Sequence, residues 1–150
     1  MAQTPPSSPI PPFRSDGYLP EGLYVCSVAD VLFRFGSSSR RRRRLALRVR
    51  RWVELGQQVG AQRLLVDGSF VTAKEEPHDI DSVLLLPADF VQQLEQELPA
   101  AVELEIMFLT RRPEEIFAAE DEQDWAEWVA FFSQTREPDH RRKGLIEIRL

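Results

Sequence analysis

Apolar residues recur at helical spacing in several parts of the chain. Ser27 is a suitable N-cap, and the pattern after it predicts a short helix that ends at Gly36. Serines 37–39 cap a longer predicted helix, which runs to about Val59 with one apolar stripe. Two further helices are predicted over residues 87–98 and 113–134, each beginning at a proline.

Alternating or continuous apolar runs predict strands between these helices. They cover residues 23–25, 63–67, 79–86, 102–109 and 145–150. In the run 102–109, Glu103 and Glu105 alternate with apolar residues, so both carboxylates are expected on one face. The interleaved order predicts an α/β (α+β) domain with a small mixed β-sheet and helices packed on it.

The start of the chain has a different composition. Five prolines and several serines within residues 1–17 are typical of a disordered tail, so the 150-residue chain is expected to fold over residues 18–150. No apolar run is long enough to span a membrane and no secretory signal is visible, so we expect a cytoplasmic protein without a membrane partner. One cysteine and two distant histidines exclude an intrachain disulfide and the common zinc motifs.

Charge is distributed unevenly around a net value of −5. Eight of the 19 basic residues lie within residues 40–51, and eleven acids lie within residues 95–127. The two segments either pair with each other or present two faces to different partners. Arginines 40–44 are either a solvated helix start or a surface that attracts tRNA or another RNA through its phosphates.

Two short motifs carry the candidate chemistry. A Gly68-Ser69 turn follows the strand 63–67, and nine residues later Asp79-Ile80-Asp81 opens the next strand. Alternate residues of a strand share a face, so the two carboxylates are expected side by side, where Mg²⁺ or Mn²⁺ would relieve their repulsion. Gly68 allows a tight turn, and Ser69 offers an N–H and a hydroxyl to phosphate oxygens. Either motif alone is also typical of an ordinary surface strand or turn, but together they predict phosphoryl or nucleotidyl transfer.

These residues resemble the signature of the polymerase-beta-type nucleotidyltransferase superfamily, in which a Gly-Gly or Gly-Ser turn precedes Asp-hydrophobic-Asp. Within that superfamily, the chain is similar to a family of small bacterial proteins of uncharacterised function. The similarity extends over residues 18–150 and is most specific in the block 67–81, which reads Asp-Gly-Ser-Phe-Val-Thr-x-Lys-x-x-Pro-x-Asp-Ile-Asp. Gly22 and the ending Lys143-Gly144-Leu145-Ile146 support it.

The resemblance implies a minimal nucleotidyltransferase fold and a role for each motif. Asp79 and Asp81 would hold two Mg²⁺ ions, and Gly68 and Ser69 would hold the phosphates of a nucleoside triphosphate. A third carboxylate would come from a neighbouring strand. On the predicted strand 102–109 we prefer Glu105 for this catalytic and metal-binding role, within roughly 7 Å of an aspartate carboxylate, with Glu103 as the second choice.

Lys74, in the spacer between the motifs, is either a point charge for the triphosphate or a loop lysine that balances nearby glutamates. The expected function is Mg²⁺-dependent transfer of a nucleoside monophosphate from an NTP to an RNA or protein hydroxyl. The resemblance also leaves open a toxin or antitoxin role, with a cognate partner protein or self-association. The alternative is a catalytically inactive module that binds nucleotide, nucleic acid or a protein partner.

Overall fold

A mixed five-stranded sheet forms the centre of the protein in a computed structural model, which describes residues 9–110 and 115–150. In chain order the elements are β1 (Gly22–Cys26), α1 (Val28–Phe35), α2 (Arg40–Val59), β2 (Arg63–Asp67), a 3₁₀ turn (Ser69–Val71), β3 (Asp81–Leu85), α3 (Phe90–Glu95), α4 (Pro99–Thr110), β4 (Glu115–Ala119), α5 (Glu122–Phe132) and β5 (Gly144–Arg149). The strand order is β1-β5-β2-β3-β4. The β1–β5 and β3–β4 pairs are parallel, and β2 is antiparallel to both of its neighbours. The predicted mixed α/β fold is confirmed.

The two faces of the sheet are covered differently. Even-numbered residues such as Leu64, Leu84 and Ile146 pack into the larger core, together with buried residues of α1 to α4. Odd-numbered residues such as Leu65 and Val83 pack into a smaller core, which α5 covers through Trp125. Because a single helix among the described elements covers this face, a cleft remains beside the sheet on the α5 side.

The first helices form where the sequence predicts them, and their caps explain why. The Ser27 hydroxyl accepts a hydrogen bond from the Asp30 N–H, and the Asp30 carboxylate accepts one from the Ser27 N–H. Ser39 caps α2 in the same way, by accepting from the Arg42 N–H, and Gly60 ends α2 in the left-handed region with φ +84°.

The predicted strand 102–109 is wrong, because these residues belong to helix α4. Its buried residues Ala101, Leu104 and Phe108 recur at helical spacing, and Pro99 occupies the first helical position. The run is apolar on nearly every side, so the two interposed glutamates imitate a strand alternation. None of the described helices is long and apolar enough to cross a bilayer.

The predicted helix 113–134 is also partly wrong. Residues 113 and 114 lie outside the described range, residues 115–119 form strand β4, and only residues 122–132 form a helix. Parallel pairing with β3 overrides the local helical preference of the alanines in β4. The predicted helix 87–98 is shorter than expected, because Glu97 has φ 55° and interrupts the helical path before α4 begins.

The described part of the predicted tail packs on the domain. Ile10 is 2% exposed within the larger core, and the Phe13 ring lies 6.1 Å from that of Phe35. The Arg34 guanidinium donates to the backbone carbonyls of Ile10 and Pro11, at 3.3 and 3.0 Å. The packed domain therefore begins before residue 18, because two isolated apolar residues and one arginine anchor the proline-rich segment.

Candidate functional site

Carboxylates from three adjacent strands meet at one end of the sheet. Asp67 ends β2 and lies opposite Asp81, the first residue of β3, and Asp81 lies in parallel register with Glu115, the first residue of β4. Register partners point to the same face, which here is the α5 face. We call these three residues, together with Asp79 of the loop before β3, the acid cluster.

The Gly68-Ser69 turn holds Asp79 in place. The Ser69 hydroxyl accepts from the backbone N–H groups of His78 and Asp79, at 2.9 and 3.1 Å, and donates to Asp79 Oδ1 at 2.5 Å. The Ser69 N–H donates to the same oxygen at 3.1 Å. Gly68 has φ +89°, and a Cβ there would lie 2.9 Å from the Asp79 carbonyl oxygen. In this geometry the hydroxyl expected to hold phosphate is occupied within the protein.

The two central carboxylates differ in their pKa values. Burial raises the pKa of Asp81 to about 7, and the nearby charges of Asp79, Asp67 and Glu115 add to the increase. Burial would also raise the pKa of Asp79, but hydrogen bonds from Ser69 and the charge of Lys143 hold it below its usual range. Asp81 is also close enough to contribute to the lowered pKa of Asp79. The negative charges of the two carboxylates therefore oppose each other, and a cation bound between them would relieve that repulsion.

Lys143 brings a fixed positive charge into the same site. Its Nζ atom donates to Asp67 Oδ1 at 2.7 Å, and Asp67 is only 3% exposed. Burial raises the pKa of Asp67 to about 6, although the ion pair with Lys143 opposes that increase. The local sequence suggests only that Asp67 orders the turn, because its partner Lys143 lies 76 residues away and no local pattern encodes the pair.

Two arginines of α2 fix the loop between the motifs. The buried Arg42 guanidinium donates to the carbonyls of Phe35, Phe70, Thr72 and Lys74. Arg41, which precedes it, donates to the carbonyls of residues 77 and 78. Two of the five arginines considered for RNA attraction therefore bind this loop, whereas Arg40, Arg43 and Arg44 are exposed.

A cleft of about 910 Å³ opens on the α5 face, and Asp67, Asp79 and Asp81 of the acid cluster line it. This volume is within the usual range of ligand sites. Its lining includes Gly68, Ser69, Asp79 and Asp81, and also the exposed Lys74. Residues outside the predicted motifs complete the wall: Tyr18, Phe131, Phe132, Gln134, Arg136 and Lys143.

The predictions for Glu105 and Glu103 as the third carboxylate are wrong. Both lie on α4, which packs against the opposite face of the sheet, and Glu103 is bound to Arg51 of α2 at 2.5 Å. The strand that neighbours β3 is β4, and its carboxylate is Glu115. Glu115 is the first residue of this strand, which the sequence pattern predicted as part of a helix.

The residues present fit one divalent cation bound together with phosphate. In the described ranges, no group of three or more His, Cys, Asp or Glu side chains is arranged to hold a metal ion. Mg²⁺, however, is commonly held by one or two carboxylates, with water and substrate phosphates completing its shell. The paired oxygens of Asp79 and Asp81, at the wall of an open cleft, match that donor set.

Comparison with known proteins identifies a family but no activity. No curated protein matches the chain, and no solved structure matches it. A model of the family of unknown function DUF6932 matches residues 11–149, which is nearly the whole chain and includes the segment that packs through Phe13. The chain therefore belongs to the DUF6932 family.

Proposed function

We propose that this protein is a divalent-cation-dependent nucleotidyltransferase, with Asp79 and Asp81 as the ligands of the cation. The observation that carries the proposal is the juxtaposition of these two carboxylates in an open cleft, where burial and like charges raise the pKa of Asp81 to about 7. A bound Mg²⁺ would neutralise this pair and the phosphates of a nucleoside triphosphate, and would polarise the α-phosphate.

Residues that line the cleft, and Glu115 beside Asp81, have further roles in the proposed reaction. Ser69 holds the Asp79 carboxylate by two hydrogen bonds, and Lys74 lies at the wall of the cleft as a point charge for the triphosphate. An acceptor hydroxyl attacks the α-phosphorus; a new O–P bond forms, the bond to the β-phosphate oxygen breaks, and pyrophosphate leaves. Glu115, the exposed carboxylate beside Asp81, accepts the hydroxyl proton.

The acceptor is an RNA or protein hydroxyl delivered from outside the cleft. The exposed Arg40, Arg43 and Arg44 at the start of α2 supply positive charge for RNA phosphates. A toxin or antitoxin role, with a partner protein or a second copy of the chain, is compatible with this chemistry.

An α-labelled NTP, Mg²⁺ and total RNA or cell lysate test the proposal. The wild-type protein should transfer label to a macromolecule, and Asp79→Asn and Asp81→Asn should abolish the transfer. Glu54→Gln, an exposed substitution on α2, provides the control for unspecific loss. Absence of labelled product with all four NTPs, in both RNA and protein fractions, would reject the transferase function.

A second candidate is a module that binds nucleotide without turnover. The observation in its favour is that the described residues contain no three-ligand metal group, and that Lys143 already compensates Asp67. Mg²⁺-dependent NTP binding without transfer in the same assay would select this candidate.

A further inference from the structure

The cleft has an aromatic wall as well as an acidic one. Phe131, near the end of α5, is 63% exposed and lines the cleft beside Phe132. A single exposed phenylalanine is common on a protein surface, and Phe33 on α1 is 86% exposed. Phe131 differs from Phe33 because it borders the cleft that contains Asp79 and Asp81.

Neighbouring rings support Phe131. The Trp128 ring lies 6.0 Å away at an interplanar angle of 87°, and the Phe132 ring lies 5.1 Å away at 77°. Edge-on contacts of this kind are favourable between aromatic rings. They hold the Phe131 ring on a residue that remains 63% exposed and lines the cleft.

A polar side chain follows Phe131 in the chain and lies on the same wall of the cleft. Gln134 is exposed, lines the cleft, and carries both donor and acceptor atoms in its carboxamide. Its backbone N–H donates to the Phe131 carbonyl at 3.4 Å, and it forms a bridge with Arg142. The hydroxyl of the next residue, Thr135, is occupied by the Arg141 carbonyl at 2.7 Å, so Gln134 is the amide available to a ligand on this wall.

We infer that Phe131 and Gln134 form the base subsite of the nucleotide, an inference that rests on the proposed function. The base stacks on Phe131, and its polar edge bonds to the carboxamide of Gln134. The triphosphate extends toward Asp79 and Asp81. The ligand class is thus a nucleoside triphosphate bound through its base as well as its phosphates, and not a free polyphosphate.

Calorimetry with two probes tests this inference, each in the presence of Mg²⁺: ATP, and inorganic tripolyphosphate, which lacks a base. Phe131→Leu removes the aromatic face but keeps apolar volume, and Phe33→Leu is the matched control outside the cleft. Phe131→Leu should weaken ATP binding by about tenfold, as expected for the loss of a base–aromatic stack. It should leave tripolyphosphate binding unchanged. Gln134→Ala should act in the same direction, and Phe33→Leu should change neither probe.

The outcomes separate the inference from the function on which it rests. Equal ATP affinity of Phe131→Leu and wild type would overturn the base subsite, while Mg²⁺-dependent binding of both probes would leave the proposed function intact. An equal loss for ATP and tripolyphosphate would also overturn it, because the effect would then lie in the phosphate site. If wild type binds neither probe, the proposed function and the base subsite both fail.

Discussion

Gly68 and Ser69 determine where the Asp79 carboxylate lies. The backbone of residues 79–81 passes so close to Gly68 that no side chain fits, and the Ser69 hydroxyl binds the same segment. The Gly-Ser motif thus has a structural role within the protein itself. It places one carboxylate of the pair with a low pKa beside another with a raised pKa.

Gly68→Ala is expected to destabilise the protein far more than Gly60→Ala. Both glycines have positive φ, +89° and +84°, but a Cβ at position 60 meets nothing within 4 Å. Gly60→Ala should therefore cost only the conformational term, about 1 kcal/mol, whereas Gly68→Ala should cost about 3 kcal/mol or more. Urea denaturation of both variants measures the difference, and equal costs would contradict the close approach of the 79–81 backbone.

The raised pKa of Asp81 predicts that the metal-free protein loses stability as pH rises. The unfolded chain releases this proton near pH 4, about the ordinary aspartate value, whereas the folded protein keeps it until about pH 7. The free energy of unfolding should fall between those two values and then level off. Thermal denaturation in EDTA at several pH values measures this free energy of unfolding. Asp81→Asn should reduce the slope of the free energy against pH. Mg²⁺ should restore stability at pH 8. A slope unchanged in Asp81→Asn would show that another group is responsible.

At the scale of elements, helix α2 contains the basic segment, and some of its arginines bind the loop of the candidate site. A run of five arginines covers every side of a helix, so its members face different surroundings. Arg42 turns inward and binds the loop between Gly68-Ser69 and Asp79, while Arg43 stays exposed. The basic run thus contains positioning residues for the acid cluster beside residues that face solvent.

Arg42→Met should destabilise the fold by at least about 3 kcal/mol, because it leaves backbone carbonyls of the loop without their donor. Arg43→Met should change stability by no more than about 0.5 kcal/mol, since this side chain makes only a 3.5 Å contact with the Ser37 carbonyl. Chemical denaturation compares the two variants, which remove the same charge from the same helix. Similar losses would show that net charge, and not the buried hydrogen bonds, matters.

The third carboxylate lies on strand β4, because the residues predicted as its strand form helix α4 instead. Glu115→Gln should weaken binding of Mn²⁺ with ATP several-fold, because it removes a negative charge in register with Asp81. Glu105→Gln should leave that binding unchanged, since α4 packs on the other face of the sheet. Titration followed by Mn²⁺ electron paramagnetic resonance distinguishes them. A larger effect of Glu105→Gln would contradict the strand order in which β4, and not residues 102–109, pairs with β3.

At the scale of the whole molecule, the sequence pattern predicted those features that depend on residues close together in the chain. The capped helices α1 and α2 and the strands β2 and β3 follow from spacing and caps. Asp79 lies beside Asp81 for another reason than the predicted strand alternation: it precedes β3, and Ser69 holds its carboxylate. The identities of α4 and β4 did not follow, because an apolar run suits either form and strand pairing decided between them. The Asp67–Lys143 pair depends on the chain returning to the sheet through β5, and the wall at Phe131 depends on α5 packing against β3 and β4. Periodicity does not encode such contacts between separate elements.

The proposed function requires one divalent cation and a triphosphate to bind together at Asp79 and Asp81. The most direct measurement is an anomalous difference map from crystals grown with Mn²⁺ and an ATP analogue whose α–β bridging oxygen is replaced by a methylene group. We expect one strong peak in contact with both carboxylates and with phosphate oxygens, lost in Asp81→Asn. A nucleotide bound elsewhere, or a cation that contacts neither aspartate, would contradict this function.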